Sequence, residues 1–348
     1  MTITESGPGP RAGEPVGRAP TLAQVARAAG VSPATASRVL TGSAHVSRTA
    51  RERVEEAAQR LGYVPRRPTT PGRRSPGAVA VVMCDEGARV FADPFHAGLL
   101  WGVRRELGGR RPLVVLMAGT PGEWETAADY LRGGRFEGVL LIGAHPDRRA
   151  CVLRAAAGAP VVLAGRPLDD VGLPYVDADN RGGAHAAVRH LLASGRRRIA
   201  TIAGPADMAA GVDRLAGYRM AAQEAGMDVA GLVGHGDFGR LSGEHAMSRL
   251  LERRPGIDAV LAASDLMAVG ALRALRRAGR RVPDDVAVVG FDDAPVARQV
   301  RPRLTTVRRP AEDLGARLAR ELRARSGGRP SGDRGVVLRT RLIIRESA

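Results

Sequence analysis

No lysine occurs anywhere in the 348 residues; all 53 basic side chains are arginine. That absence excludes two reaction classes at once, because a Walker-type phosphate loop and Schiff-base chemistry both need a lysine amine. Cysteine is nearly missing too. Cys84 and Cys151 stand far apart and form no C-x-x-C, so both are expected as buried thiols in a reducing compartment. No apolar run approaches the roughly 18 residues of a membrane span. The opening stretch MTITESGPGPRAGEPVGRAP holds no apolar core segment, so it does not read as a secretory signal. Residues 1–19 read as a disordered tail, and the protein is expected in the cytoplasm. Catalytic signatures are also lacking: there is no G-x-S-x-G, no H-E-x-x-H, and no G-x-G-x-x-G after the first strand. His185 and His190 lie five apart on one predicted helix, off the i, i+4 spacing of shared metal ligands. No enzymatic activity, metal or cofactor is expected.

What is present is charge. The formal net charge of +17 favours a polyanionic partner, since neutralising phosphates releases counterions. The length suits two or three compact units. In residues 21–42, TLAQVARAAGVSPATASRVLTG, the side chains Leu22, Val25, Ala26 and Ala29 form one apolar helical face. Gly30 ends that helix. Ser32 reads as the N-cap of a second, with Pro33 at its first position, where a missing N–H costs nothing. Ala36, Val39 and Leu40 give the second helix its buried face. Ser47 caps a third, whose Val54, Ala57, Ala58 and Leu61 again step by helical spacing. Two short helices joined through glycine, with a third as support, make a helix-turn-helix. Small residues on the free face of the second helix let its backbone sink into a major groove, and hydroxyls there can bind phosphate oxygens.

From Thr21 to Pro65 the sequence resembles the headpiece of the lactose-repressor (LacI/GalR) family, almost without interruption. By that resemblance Pro33 and Ala34 occupy base-reading positions and Arg38 lies on the same helix. Ser32, Thr35, Ser37, Thr41, His45 and Ser47 are mainly positioning contacts, while Leu22 and Tyr63 complete the DNA-contacting set. His45 taken alone reads as an ordinary loop histidine; within HVS it reads as a DNA contact.

Beyond Gly77 short β-branched runs alternate with amphipathic stretches: AVAVVMC, PLVVLMA, EGVLLIGA, APVVLAG, RIATIAG, DAVLAAS and VAVVGFD. This is an α/β, doubly wound pattern with parallel sheets covered on both faces, which bind ligands at the carboxyl ends of their strands. The resemblance continues through VDADNRGGAHAAVRHLLASGRRRIATIAGP, LAASDLMAVGALRAL, VAVVGFDD and LTTVRRP…RTRLIIRES, and so covers almost everything from Thr21 to Ser347. It implies a sensor of two lobes like periplasmic sugar-binding proteins, over residues 78–348. Chain crossings are expected near Asp179–Asn180, near Thr305–Val307 and near the final strand. The resemblance places Arg214, Asp265 and Phe238 on the ligand. A guanidinium can bridge two neighbouring oxygens and an aromatic face suits the apolar side of a ring; with aromatics at only 3% of residues, one at a cleft position is telling. Phe95, Phe91, Asp85 and Arg166 are further candidates, for which a core or strand-end role is equally open. His96 and the Asp292–Asp293 pair stay outside the expected set.

The segment YVPRRPTTPGRRSPG departs from the family. There a hinge helix continues Asn-x-x-Ala-x-x-Leu, whereas Arg66, Thr69 and Gly72 stand at those positions here. Pro68 and Pro71 each cost about 3 kcal/mol in a helix interior. We read 66–77 as a linker after a 20–65 headpiece, with Arg66, Arg67, Arg73 and Arg74 as a basic arm for a narrow minor groove, or else as an extended spacer. The resemblance implies a repressor acting as a homodimer, or a tetramer, on a pseudo-palindromic operator, with a small effector, most simply a sugar, in the sensor cleft. The competing reading is a basic chromatin-associated protein whose sensor has lost its ligand.

Overall fold

The computed structural model describes residues 21–40, 46–61, 77–85, 87–109, 111–133, 136–143, 153, 156, 158–327 and 334–348. The chain divides into two units, Met1–Ser75 and Pro76–Ala348.

The first unit holds α1 (Leu22–Ala28), α2 (Pro33–Leu40) and α3 (Arg48–Leu61). Thr21 opens α1 with a capping box: its backbone N–H donates to Gln24 Oε1 at 2.7 Å, and Gln24 N–H donates back to Thr21 Oγ1. The chain leaves α1 through Gly30, whose φ of +66° is one that a side chain resists. Ser32 then caps α2, accepting from Thr35 N–H at 3.1 Å. The core is made of small and medium residues, Val25, Ala26, Ala29, Ala36, Val39, Val54, Ala57 and Ala58, so three short helices pack closely around little volume.

Among the described residues, the second unit forms twelve strands in two sheets. β1 (Ala78–Met83), β2 (Leu113–Met117), β3 (Phe136–Ile142), β4 (Val161–Ala164) and β5 (Tyr175–Ala178) lie in the first. β6 (Ile199–Ala203), β7 (Val233–His235), β8 (Ala259–Ala262), β9 (Ala287–Asp292) and β10 (Thr305–Arg308) lie in the second. The late strand β11 (Gly335–Leu338) returns to pair with β5, and β12 (Arg341–Ile343) pairs with β10. The accompanying helices are α4 (Gly87–Ala92), α5 (Pro94–Leu107), α6 (Pro121–Gly133), α7 (Asn180–Ala193), α8 (Ala209–Glu224) and α9 (Arg240–Arg253). α10 (Asp265–Arg277), α11 (Val296–Gln299) and α12 (Ala311–Ser326) complete them.

Both faces of each sheet are buried, which explains the unbroken apolar runs. Along β1, Val79, Val81 and Met83 enter a cluster with Leu99, Leu314 and Leu318. Ala80, Val82 and Cys84 enter another with Ala127, Ala128 and Leu131. Each fully buried Val or Leu contributes about 1.5–3 kcal/mol. Cys84 is a buried thiol, and Cys151 lies outside the described residues.

The chain passes between lobes after Ala178, between Arg308 and Ala311, and between Leu338 and Arg341. The second crossing falls slightly later than Thr305–Val307 because those residues still belong to β10. α12 then packs on the first lobe against α5. A Cβ at Gly102 would meet the Glu312 carbonyl and one at Gly315 the Leu99 carbonyl, so only glycine permits this backbone approach. Among the described residues, no helix is long and apolar enough to cross a membrane, and no group of three or more His, Cys, Asp or Glu could hold a metal.

Candidate functional site

Two surfaces carry recognisable chemistry, one in each unit. On α2 the buried face is Ala36 and Val39; Ser32, Pro33, Ala34 and Arg38 are exposed, and Thr35 and Ser37 are half-buried. Ser32 and Thr35 hydroxyls lie 2.9 Å apart. Ser47 accepts from Ala50 N–H at 3.3 Å. The hydroxyls of Ser32 and Ser47 thus cap helices as well as facing solvent. Leu22 packs half-buried against the three-helix core. Thr41, His45, Tyr63, Arg66 and Arg67 lie outside the described residues.

In the second unit a cavity of about 110 Å³ lies between the carboxyl ends of the two sheets, room for several waters. Its second-lobe wall is built on Arg214, which projects from α8 and is 3% exposed. Arg214 Nε donates to Asn180 Oδ1 at 2.9 Å, Nη1 donates to the Ala263 carbonyl, and Nη2 lies 3.4 Å from Asp292 Oδ1. Its guanidinium stacks 3.8 Å from the Phe291 ring centre and 5.4 Å from that of Phe238. Burial lowers its pKa to about 10, partly offset by Asp292, so it stays charged at neutral pH. Burial pushes the Asp292 carboxyl up against the opposing pull of Arg309 and Arg214. Arg309 reaches Asp292 at 3.0 Å and lies 3.2 Å over the Phe95 ring. Asp292 and Phe238 both hold left-handed backbone, φ 112° and 70°. Such conformations persist where the surroundings over-determine them, often at ligand sites.

The first-lobe wall holds Asp85, Arg89, Asp93, Phe95 and His96. Asp93 caps α5 by accepting from Phe95 N–H at 2.9 Å, with Pro94 following at the first helical position. Asp85, 3% exposed, lies 3.5 Å from Arg89 Nη1 and 3.6 Å from His96 Nε2. Gly143 backs it with φ +67°, and a Cβ there would meet the Asp85 carboxylate. Two buried polar atoms on this wall, Arg89 Nε and His96 Nδ1, have no hydrogen-bond partner.

The model of the lacI family of bacterial regulatory proteins matches residues 21–66, and that of periplasmic-binding-protein-like domains matches 188–348. The transcriptional regulator CelR of Thermobifida fusca is 47% identical over 338 residues, covering 95% of this chain and 98% of that protein. The chain belongs to the lacI family. The repressor CytR of Escherichia coli K12 is 32% identical over 332 residues, covering 94% of this chain and 96% of that one. A CelR–cellobiose complex superposes with TM-score 0.75 at 46% identity, covering 94% of this chain and 100% of that one. A lac repressor dimer bound to operator and the anti-inducer ONPF gives 0.70 at 27%, covering 95% and 99%. As a lacI-family member the chain is a DNA-binding transcriptional regulator: a helical headpiece followed by a two-lobed, ligand-responsive sensor.

Within this lacI-family sensor, Arg214, Phe238, Phe95, Asp85 and Arg166 line the cavity. Two expected cleft residues lie elsewhere. Phe91 is 83% exposed on α4, where Val90 is the side chain that turns inward. Asp265, 1% exposed, is the first residue of α10 and its carboxylate turns back into the protein. It accepts from Thr306 Oγ1 at 2.6 Å and from Ala294 N–H at 2.7 Å. Burial, then Asp292, holds its pKa well above the ordinary range. Asp265 therefore braces the turn after β9 instead of walling the cleft. Arg166 lines the cavity, yet its guanidinium is taken by Asp213. Asp292, Arg309, Arg89 and His96 are cavity residues that lay outside the expected set. The paired aspartates closing VVGFDD were the available signal for the first.

Proposed function

We propose that this regulator is a repressor that binds a pseudo-palindromic operator as a homodimer and changes its operator affinity when a neutral saccharide occupies the sensor cleft. The observation that carries the effector class is the charge balance of the cavity. In a chain of net charge +17, the cavity lining holds four arginines and five aspartates. A phosphorylated or carboxylated ligand gains nothing from such a lining, because each cation already faces a carboxylate. A polyol gains donors and acceptors on every side, and Phe95 and Phe238 offer ring faces. The CelR–cellobiose complex makes cellobiose the first probe.

In this reading Arg214, Asp292, Phe238, Phe95 and Asp85 hold the ligand. Pro33, Ala34 and Arg38 read DNA from the exposed face of α2, with Ser32, Thr35, Ser37 and Ser47 on phosphates. The ligand acts by population shift, binding one closure state of the lobes better than another. The test has two parts. Duplexes selected from a random pool by the full-length protein are expected to carry inverted repeats at one spacing. Cellobiose is then expected to shift affinity for the selected duplex, whereas cellobiose 6-phosphate is not. Enrichment without symmetry, or a response to the phosphorylated sugar alone, would overturn the reading.

A further inference from the structure

Three backbone crossings join the two lobes whatever the cleft does. Across the cavity itself the lobes meet through side chains, and the best formed contact is an ion pair. Arg166, just after β4 in the first lobe, grips Asp213 on α8 in the second. Nε lies 3.3 Å from Oδ2 and Nη2 lies 2.9 Å from Oδ1, the two-pronged geometry a guanidinium makes with a carboxylate. Arg166 Nη1 also donates to the Pro167 carbonyl at 3.3 Å. Its backbone N–H donates to Asp177 Oδ2 at 2.9 Å, fixing the base of the side chain on the first-lobe wall. The two side chains are 36% and 23% exposed, so opening the cleft can rehydrate both at modest cost. Arg166 lines the cavity; Asp213 does not. A weaker contact of the same kind runs alongside: Arg89 of the first lobe reaches Met208 Sδ at 3.5 Å and lies 5.1 Å from the Phe238 ring centre.

We propose that Arg166 and Asp213 form an interlobe latch that holds the cleft shut, so that Arg166 sets closure instead of holding ligand. The pair can exist only while the two walls are within side-chain reach, and it biases the sensor toward closure before any ligand enters. Apparent affinity for a ligand of the closed state scales with the closed fraction. A residue with no ligand contact, Asp213, thereby controls ligand affinity.

The first test needs no ligand and uses hydrogen–deuterium exchange on the full-length protein. Asp213→Asn is expected to speed exchange of the amides of Gly165 and Arg166 and of residues 209–214 about threefold, the scale set by a partly exposed ion pair. The reversed pair Arg166→Asp with Asp213→Arg is expected to restore protection. Unchanged exchange in Asp213→Asn, or no recovery in the reversed pair, overturns the latch. The second test is calorimetric titration with cellobiose and rests on the saccharide reading. Asp213→Asn is expected to weaken apparent affinity about threefold to fivefold. Equal or tighter binding would mean that Arg166, once released, holds the ligand, and would also overturn the latch. If cellobiose fails to bind the unaltered protein, the saccharide reading falls and the exchange experiment alone decides the latch.

Discussion

The two lobes of the sensor share one strand plan and divide its work unequally. The first sheet runs β2-β1-β3-β4-β5-β11 and the second β7-β6-β8-β9-β10-β12, the same order of connections in each. The sixth strand is parallel to its neighbour in the first lobe and antiparallel in the second. Polar satisfaction differs more than topology. In the second lobe Arg214 is committed on three sides, to Asn180, the Ala263 carbonyl and Asp292, and is stacked on Phe291. In the first lobe Arg89 Nε and His96 Nδ1 are buried with no hydrogen-bond partner, and at the crossing between lobes Arg309 Nε, 3.0 Å from Asp292, is held by charge and not by a hydrogen bond. A satisfied wall is preorganised, and its charges stay put whether or not ligand is present. A wall with unpaired buried polar atoms costs stability until a partner arrives. The fold supplies two walls of one plan; in the proposed reading the second is the template and the first is completed by the ligand.

The contrast is broken most severely by Arg214→Met. Methionine fills much of the volume but leaves the buried Asp292 carboxylate with Arg309 alone. Removing one partner of a buried pair typically costs about 3–5 kcal/mol, and the remaining arginine favours the lower end. Urea unfolding of the full-length protein should show a loss of about 3 kcal/mol together with abolished cellobiose binding. A loss below about 1 kcal/mol would mean that Arg309 alone satisfies the aspartate. On the opposite wall, Gly143→Ala should cost about 2 kcal/mol, since φ +67° disfavours a side chain and the new Cβ meets Asp85. Unchanged stability there would show Asp85 to be free to move.

The sequence made much of this plan legible, for physical reasons that also mark where it stopped. A strand buried on both faces must be apolar at every position, so β1, β3, β4, β6, β8 and β9 stood out. Gly30 and Ser32 marked the turn before α2 because left-handed backbone and an unpaired helix N-terminus restrict residue type sharply. β7 has three residues, too few for a periodicity, and β11 gains its strand identity from β5, 160 positions earlier at Tyr175–Gly335. The two candidate aspartates part for a subtler reason. Asp265 and Asp292 both follow apolar runs, and only backbone conformation separates them. Asp265 sits on a helix start that turns its carboxylate inward to Thr306, while φ 112° at Asp292 swings that side chain toward Arg214 and Arg309. The neighbouring Asp293, at φ 55°, pairs instead with Arg308 at 2.7 Å.

The brace under the second wall can be read through pH. Asp265 has a folded-state pKa well above the ordinary 3.8, with burial as the main cause. A carboxyl raised in this way binds its proton more tightly in the folded state. The stability due to that proton is therefore full below pH 3.8 and is lost as pH rises through the raised value. Asp265→Asn keeps an acceptor for Ala294 N–H and removes the titration. Thermal unfolding across acid to neutral pH should show a shallower decline in the variant. Parallel curves would place the proton elsewhere.

The smallest expected effect sharpens the comparison most, because its two readouts move in opposite directions. His96 is 5% exposed, meets Phe95 edge-on at 5.8 Å, and leaves Nδ1 without a partner. Phenylalanine keeps an aromatic ring at that place and deletes the orphan. If the first wall is held incomplete for its ligand, His96→Phe should stabilise the sensor by about 1 kcal/mol, the cost recovered from one buried, unpaired polar atom. The same change should weaken cellobiose binding about tenfold, the equivalent of losing one hydrogen bond to a ligand oxygen. A purely structural histidine would instead lose stability when its contact with Asp85, 3.6 Å from Nε2, is removed. Stability up with affinity down therefore separates a wall waiting for ligand from a wall that merely packs, and the converse pair of outcomes would make the two lobes alike.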